Sequence, residues 1–264
     1  MPRRGRLDAE LVRRGLARSR QQAAELIASG AVRVGGQVAI KSASMVDTAA
    51  PVTVVADSGQ QFVSRGAHKL IGALEEFAPR GLSVKEKRCL DAGASTGGFT
   101  QVLLDAGAAH VVAVDVGYGQ LAWRLRTDER VTVRDRINAR ALTPDDIGGA
   151  AAVTVADLSF ISLRLVLPAL VACAAAGGDI IPMVKPQFEI GKQQLGAGGV
   201  VREPELWASA VRSVAGTAAE LGWGVAGMTP SPLPGPAGNR EFFLWLRSDA
   251  PPVDDAAVTA LVQS

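Results

Sequence analysis

From residue 65 onward, seven short apolar runs alternate with amphipathic stretches of helical period, and few architectures accept that order. The strand candidates are Arg88–Asp91, His110–Asp115, Val131–Arg134, Ala152–Asp157, Asp179–Val184, Trp223–Met228 and Glu241–Arg247. The helix candidates are Gly66–Phe77, Gly97–Ala106, Gln120–Arg126, Arg164–Ala174 and Glu203–Leu221. Strands that are apolar almost throughout need helices on both faces. The pattern therefore predicts a doubly wound, mostly parallel, seven-stranded α/β sheet. Such sheets bind ligands outside the carboxyl ends of their strands, and the chemistry is expected on that rim. The tail, residues 250–264, is expected to pack weakly.

The first 59 residues read as a separate small α+β domain, joined by a linker at 60–64 to an α/β domain over 65–249. Leu7, Leu11 and Val12 mark a helix that Gly15 ends. Ser19 is an N-cap candidate for a second helix carrying Ala23, Leu26 and Ile27, which Gly30 stops. Gly35-Gly36 between Val32–Val34 and Val38–Ile40 signals a hairpin, and Val52–Ala56 can complete a small sheet. Charge separates the same two parts. The whole chain carries only +2, but residues 1–41 carry +6 and the remainder −4. A basic head on a mildly acidic body points to a polyanion-binding module, with Arg4, Arg6, Arg14, Arg18 and Arg20 as candidate phosphate contacts. The alternative is a solvated helix pair.

Composition removes several classes. Two cysteines, Cys89 and Cys173, make no disulfide framework, and with only two histidines no metal site is expected. Both cysteines read as core residues. The most apolar window, Leu165–Gly178, is short and contains Pro168, so no membrane span is expected. No apolar leader follows the first arginines, and a cytoplasmic location is the expectation.

The strongest local motif is Cys89–Thr100, a buried strand entering a glycine-rich turn and then a helix. Its G-x-x-x-G-G spacing (Gly93, Gly97, Gly98) is neither the dinucleotide fingerprint nor a phosphate-binding P-loop. No Lys or Arg lies between Asp91 and His110. A carboxylate at Asp91 suits a ligand bearing an ammonium or sulfonium better than a pyrophosphate, which favours S-adenosylmethionine over NAD. Gly93, Ser95, Thr96, Gly97, Gly98 and Phe99 line the candidate cofactor loop. Asp115, 17 residues beyond Gly98, is placed to accept from a ribose, and Tyr118 in Gly117–Gln120 to lie along the nucleoside. Asp157 gives a third acid at a strand end. Any one of these acids is equally a helix N-cap; the set on one rim is what suggests a site.

Four further polar residues fit one reaction: Lys69, Asp157, Lys185 and Glu241. The last three sit at element boundaries. A ribose hydroxyl is a weak nucleophile and needs a base or a cationic field as it attacks a sulfonium methyl. Desolvation beside a second cation favours loss of a lysine proton, while flanking carboxylates orient the amine and favour its charged form. Each residue taken singly reads as a surface ion pair. No G-x-S-x-G elbow is present, so a nucleophilic triad is not supported. Tyr118, Phe188 and the loop Gly191–Arg202 are candidate contacts for the donor or a flipped base. Trp123, Trp207, Trp223 and Trp245 read as packing.

Lys69, Asp157, Lys185 and Glu241 resemble, in type and order, the Lys-Asp-Lys-Glu tetrad of FtsJ/RrmJ-like ribose 2′-O-methyltransferases. The stretches Ser64–Leu70, Asp91–Thr100, Asp115–Trp123, Ala156–Leu163, Val184–Glu189 and Ser231–Asn239 resemble those of the TlyA (haemolysin A) family. Leu16–Ile27 is similar to the RNA-binding fold first described in a small-subunit ribosomal protein. The resemblance, over about residues 3–248, implies a Rossmann-like methyltransferase fold using S-adenosylmethionine. It implies methylation of the cytidine 2′-hydroxyl in 16S and 23S rRNA, with ribosomal subunits as partners and an effect on capreomycin susceptibility. It also implies the tetrad as catalytic residues and the Asp91–Phe99 loop with Asp115 as the donor site. One departure is Gln60-Gln61-Phe62-Val63, where relatives often carry Arg-Ala-Trp-Val. The competing expectations are an NAD-linked oxidoreductase, a non-catalytic ribosome-assembly factor and a membrane-lytic protein.

Overall fold

All seven apolar runs become strands of one sheet in the computed structural model, which describes residues 4–17, 19–28, 30–54 and 62–263. The chain divides into two compact units, Met1–Ala67 and His68–Ser264.

In the second unit the strands are β6 (Arg88–Ala92), β7 (His110–Asp115), β8 (Val131–Asp135), β9 (Ala151–Ala156), β10 (Ala174–Val184), β11 (Gly224–Pro230) and β12 (Phe242–Arg247). Their spatial order is β11-β12-β10-β9-β6-β7-β8. Pairing is parallel from β10 to β8, and β12 runs antiparallel between β10 and β11. The helices are α3 (Gly66–Phe77), which begins at the unit boundary, α4 (Gly98–Asp105), α5 (Trp123–Arg126), α6 (Leu167–Ala172), α7 (Pro186–Glu189), α8 (Pro204–Glu220) and α9 (Asp255–Gln263).

Alternation along β12 shows how the layers form. Phe242 packs its ring against Trp207 of α8, whereas Phe243 meets Phe99 of α4 and Trp245 meets Phe77 of α3. Neighbouring side chains of a strand point to opposite faces, so helices cover both sides. One face holds Leu90, Val112, Leu170, Val211, Val214 and Leu244 in a continuous buried cluster. Each such side chain contributes about 1.5–3 kcal/mol by leaving water.

Four expectations are corrected. The tail does not fray: α9 buries Val258, Leu261 and Val262, at helical spacing, in the same core. The helix expected over Gln120–Arg126 is confined to α5, because the Ala122 N–H is drawn to the carbonyl of Thr96 in the glycine loop. The helix expected over Arg164–Ala174 splits into a 3-10 turn, Leu163–Leu165, and α6, with Pro168 in the first turn, where proline is tolerated. Trp123 is not packing: it opens α5 and is 76% exposed, whereas Trp223 and Trp245 are buried. Cys89 and Cys173 are both buried free thiols, and burial pushes them up to about 12 and about 11.

The first unit contains α1 (Leu7–Arg13) and α2 (Arg20–Ala28). The Ser19 hydroxyl accepts the Gln22 N–H at 3.1 Å, the expected N-cap. The hairpin forms between β2 (Val32–Val34) and β3 (Gln37–Val38), with β5 (Val52–Val54) on the other edge of β2. Residues 55 and 56 of the expected last strand lie outside the described residues, as do Arg18, Gln60 and Gln61. A second pairing, β1 (Arg4–Arg6) with β4 (Met45–Asp47), carries no periodicity in its three-residue strands and was not expected. Leu7, Leu11, Ala23, Ile27, Val32 and Val46 form the core of this unit.

Candidate active site

Strand register assembles the rim. Ala156 of β9 pairs with Ala92 of β6 and with Pro182 of β10, Ala92 pairs with Val114 of β7, and Val184 of β10 pairs with Phe242 of β12. The residues just beyond, Gly93, Asp115, Asp157 and Lys185, together with Glu241 just before Phe242, therefore lie along one edge. These positions are spread over about 150 residues of sequence.

Two ion pairs occupy this edge. Lys185 Nζ is 2.5 Å from Asp157 Oδ1 and donates to the Ser159 hydroxyl at 3.0 Å. Lys69, brought in by the first turn of α3, pairs with Glu241 Oε2. Lys185, Lys69 and Glu241 are buried, and Asp157 keeps a quarter of its side chain exposed. The second oxygen of Glu241, Oε1, is buried without a protein partner. A Cβ at Gly235 would come within 2.6 Å of it, so only glycine lets that turn lie against the carboxylate.

The glycine loop adjoins the Asp157 end of this row. Gly93 has φ +88, and a Cβ there would lie 2.5 Å from the Asp157 carbonyl oxygen. Glycine is thus required both for the turn and for close approach of the β9 end. Asp115 ties the next two loops together: Oδ2 accepts the Ser95 N–H at 2.8 Å and Oδ1 the Gly117 N–H at 2.7 Å. Each oxygen keeps a second lone pair for another donor. The Thr96 carbonyl holds Ala122, Gly97 is the residue before α4, and Gly98 begins that helix. Tyr118 is 68% exposed, with the Arg136 guanidinium 4.3 Å from its ring centroid.

Two members of the expected loop sit deeper than the sequence implied. Phe99 is buried against Phe243 and serves the core. Asp91 lies one residue before the end of β6, fully buried, accepting the Thr100 hydroxyl at 2.6 Å through Oδ2. Its Oδ1 has no protein partner. Burial pushes the Asp91 carboxyl up to about 7, and the negative charges of Asp157 and Asp115 push in the same direction. Three carboxylates at one end of the sheet therefore repel one another, and a cation between them would relieve that repulsion. The orphaned Asp91 oxygen and the glycine cradle fit a donor with a sulfonium and an ammonium.

Ser159, Glu189 and Phe160 were not expected here. Phe160 has φ +63 and is 91% exposed, with its ring centroid 5.3 Å from that of Phe188. A positive φ at a non-glycine residue leaves no trace in sequence. Asn239 is buried: its Oδ1 accepts the Val201 N–H at 2.8 Å and its Nδ2 donates to the Gly199 carbonyl at 3.1 Å, which fastens the 199–201 segment to the turn before Glu241.

In the first unit, the expected arginines divide by burial. Arg6 and Arg20, with side chains 47% and 60% exposed, both bind the buried Asp8 carboxylate at 2.9 Å. These two arginines hold Asp8 well below the usual carboxylate range. Arg14 is only 20% exposed; it donates to Glu10 at 2.6 Å and to the Ala50 and Thr48 carbonyls at 2.9 and 2.8 Å. Arg14 is a brace of the fold, whereas Arg6 and Arg20 present guanidinium surface. Arg4, in β1, is exposed.

Among the described residues no group of His, Cys, Asp and Glu is arranged to hold a metal ion, and no helix is long and apolar enough to cross a membrane. Residues 62–248 match the model of the FtsJ-like methyltransferase family, and residues 5–50 match that of the S4 domain. The chain is 65% identical over 248 residues to the 16S/23S rRNA (cytidine-2′-O)-methyltransferase TlyA of Mycobacterium tuberculosis, covering 94% of this chain and 91% of the relative. It is 36% identical over 185 residues to the 23S rRNA (cytidine-2′-O)-methyltransferase TlyA of Campylobacter jejuni, covering 70% of each. A solved hemolysin-named structure from Streptococcus thermophilus superposes with a TM-score of 0.77 at 38% identity, over 100% of this chain and 95% of that one. The rim chemistry and these likenesses agree: the chain belongs to the TlyA family of FtsJ-like methyltransferases that carry an N-terminal S4 domain.

Proposed function

We propose that this protein transfers the methyl group of S-adenosylmethionine to the ribose 2′-hydroxyl of cytidine in 16S and 23S rRNA. The observation that carries the reading is the single row in which the Lys185–Asp157 and Lys69–Glu241 pairs adjoin an acid-lined glycine turn. When bound, S-adenosylmethionine supplies an electrophilic methyl on a cationic sulfur. Asp91 and Asp115 favour that positive charge, and Gly93, Ser95, Thr96, Gly97 and Gly98 bring backbone close to the donor. Tyr118, exposed and carrying Arg136, lies along the nucleoside.

Lys185 Nζ hydrogen-bonds the ribose oxygen as it attacks, and Asp157, 2.5 Å from that nitrogen, is the acceptor to which the hydroxyl proton passes. Ser159 fixes the direction of the amine. The buried Lys69–Glu241 pair sets the floor of the substrate site, and the Gly235 turn closes over Glu241 Oε1. Burial matters here because a hydrogen bond to developing charge is stronger away from water.

Arg4, Arg6 and Arg20 hold rRNA phosphates, with Arg18 grouped with them from sequence alone. A cytoplasmic location goes with a ribosomal substrate, and loss of the modification is expected to change capreomycin susceptibility. The test is incubation of purified protein with labelled donor and each unmodified ribosomal subunit, followed by mapping of ribose methylation. Label on a cytidine 2′-oxygen of both subunits is expected. Label on a base, or on protein alone, overturns the reading.

A further inference from the structure

One buried carboxylate has no part in the reaction above. Glu189 ends α7, four residues beyond Lys185, and is only 7% exposed. Its Oε1 accepts the Leu163 N–H at 2.7 Å and its Oε2 accepts the Ser162 hydroxyl at 2.6 Å. Arg164 adds a longer contact, its Nε 3.7 Å from Oε2. Burial pushes the Glu189 carboxyl above its ordinary range, so the group sits here at an electrostatic cost.

The loop that Glu189 holds is the one that serves Lys185. Residues 157–163 leave β9 with Asp157 and Ser159 on the Lys185 amine, then reach Ser162 and Leu163 on Glu189. Two short segments, 157–163 and 185–189, are thus laced at both ends. Between the laces, Phe160 is held at φ +63, a backbone state that a phenylalanine rarely adopts unaided. A loop in such a state relaxes when one lace is cut, and Asp157 and Ser159 move with it.

Resting on the assignment of Lys185 and Asp157 to methyl transfer, we infer that Glu189 is a positioning residue, which fixes the 157–163 loop so that Asp157 and Ser159 aim the Lys185 amine.

The test compares Glu189→Ala, Glu189→Gln and Ser162→Ala with Lys185→Ala in steady-state methylation of unmodified ribosomal subunits, with donor affinity and thermal unfolding measured alongside. Glutamine retains an acceptor for the Leu163 N–H and a donor for the Ser162 hydroxyl. Glu189→Ala is expected to lower kcat by ~10–100-fold, the size of effect that a misplacement of about 1 Å produces. The donor KM should stay within about 3-fold, and Glu189→Gln should recover kcat to within about 3-fold, because the geometry is kept. A purely stabilising Glu189 would lower the unfolding temperature and leave kcat per folded molecule unchanged, and that result overturns the inference. Should Glu189→Ala fail to fold, Ser162→Ala decides, since it cuts the hydroxyl bond to Glu189 Oε2, with the two longer Arg164 bonds to the same hydroxyl, and leaves the Leu163 bond to Glu189 in place. Lower kcat at an unchanged unfolding temperature supports the role, and wild-type kcat overturns it. Full activity of Lys185→Ala defeats the underlying assignment and this inference together. An inactive Lys185→Ala beside an unaffected Glu189→Ala defeats only the inference.

Discussion

Lys69 and Glu241 are 172 residues apart in sequence and form an ion pair in which neither residue is more than 4% exposed. Removing one partner strands the other charge away from water, so Glu241→Ala should cost about 3–5 kcal/mol in urea unfolding. Replacing both by apolar residues, Lys69→Met with Glu241→Leu, should recover much of that stability without restoring methyl transfer. A double variant as unstable as the single one would show that the pair contributes through something other than its charges.

Lys185→Ala should leave donor and rRNA binding nearly intact while lowering kcat by ~10²–10³-fold, the usual effect of removing a group aimed at developing charge. Full turnover in this variant would contradict the assigned role.

Gly93→Ala places a methyl 2.5 Å from the Asp157 carbonyl, at φ +88. The obstacle is backbone, which cannot swing aside as a side chain can. We expect loss of donor binding by calorimetry and destabilisation of ~1–3 kcal/mol.

Asp91 gives a pH signature. Its carboxyl titrates near 3.8 when unfolded and at about 7 when folded, because burial disfavours the charged form. Between those values the folded protein binds more protons than the unfolded chain, so Asp91 makes stability fall as pH rises from about 4 to about 7, and adds no slope beyond that. Asp91→Asn should remove this slope and leave the donor-free protein more stable at pH 8, by an amount on the order of a few kcal/mol. A cationic donor favours the carboxylate, so binding near pH 6.5 should release a proton in the wild type but not in Asp91→Asn. Calorimetry in buffers of different ionisation enthalpy reads this directly, and equal proton release in both proteins would contradict it.

Arginines of the first unit should separate into two phenotypes. Arg20→Ala should weaken rRNA binding and reduce its salt slope by about 1, as for a lost phosphate contact. Arg14→Ala should instead destabilise the unit by about 1–3 kcal/mol, because it leaves the Thr48 and Ala50 carbonyls without their donor and takes from the buried Glu10 one of its two arginines, Arg13 remaining. Binding of folded Arg14→Ala at near wild-type affinity would confirm the division.

What was legible in the chain was whatever local physics dictates. Unbroken apolar runs have to be buried on both faces, and this determined the doubly wound sheet and the limits of β7, while helical period determined those of α3. Glycine at 93 and 97 announced a turn that other residues resist, and the boundary positions of Asp157, Lys185 and Glu241 announced a rim. The arginine excess of the first 41 residues separated head from body where the total charge of +2 concealed both.

What tertiary structure alone decided was partnership and depth. Nothing local says that Lys69 meets Glu241, that Asp91 is withdrawn behind the rim onto Thr100, or that Arg14 braces while Arg20 presents itself. Nor does anything local place α9 against the core, or bend Phe160 to a positive φ between the Lys185 and Glu189 laces. These depend on which distant segments the register of β6, β9, β10 and β12 sets side by side. A side chain's charge and hydrogen-bonding capacity are written in its own chemistry, whereas its desolvation and its neighbours are properties of the packed whole.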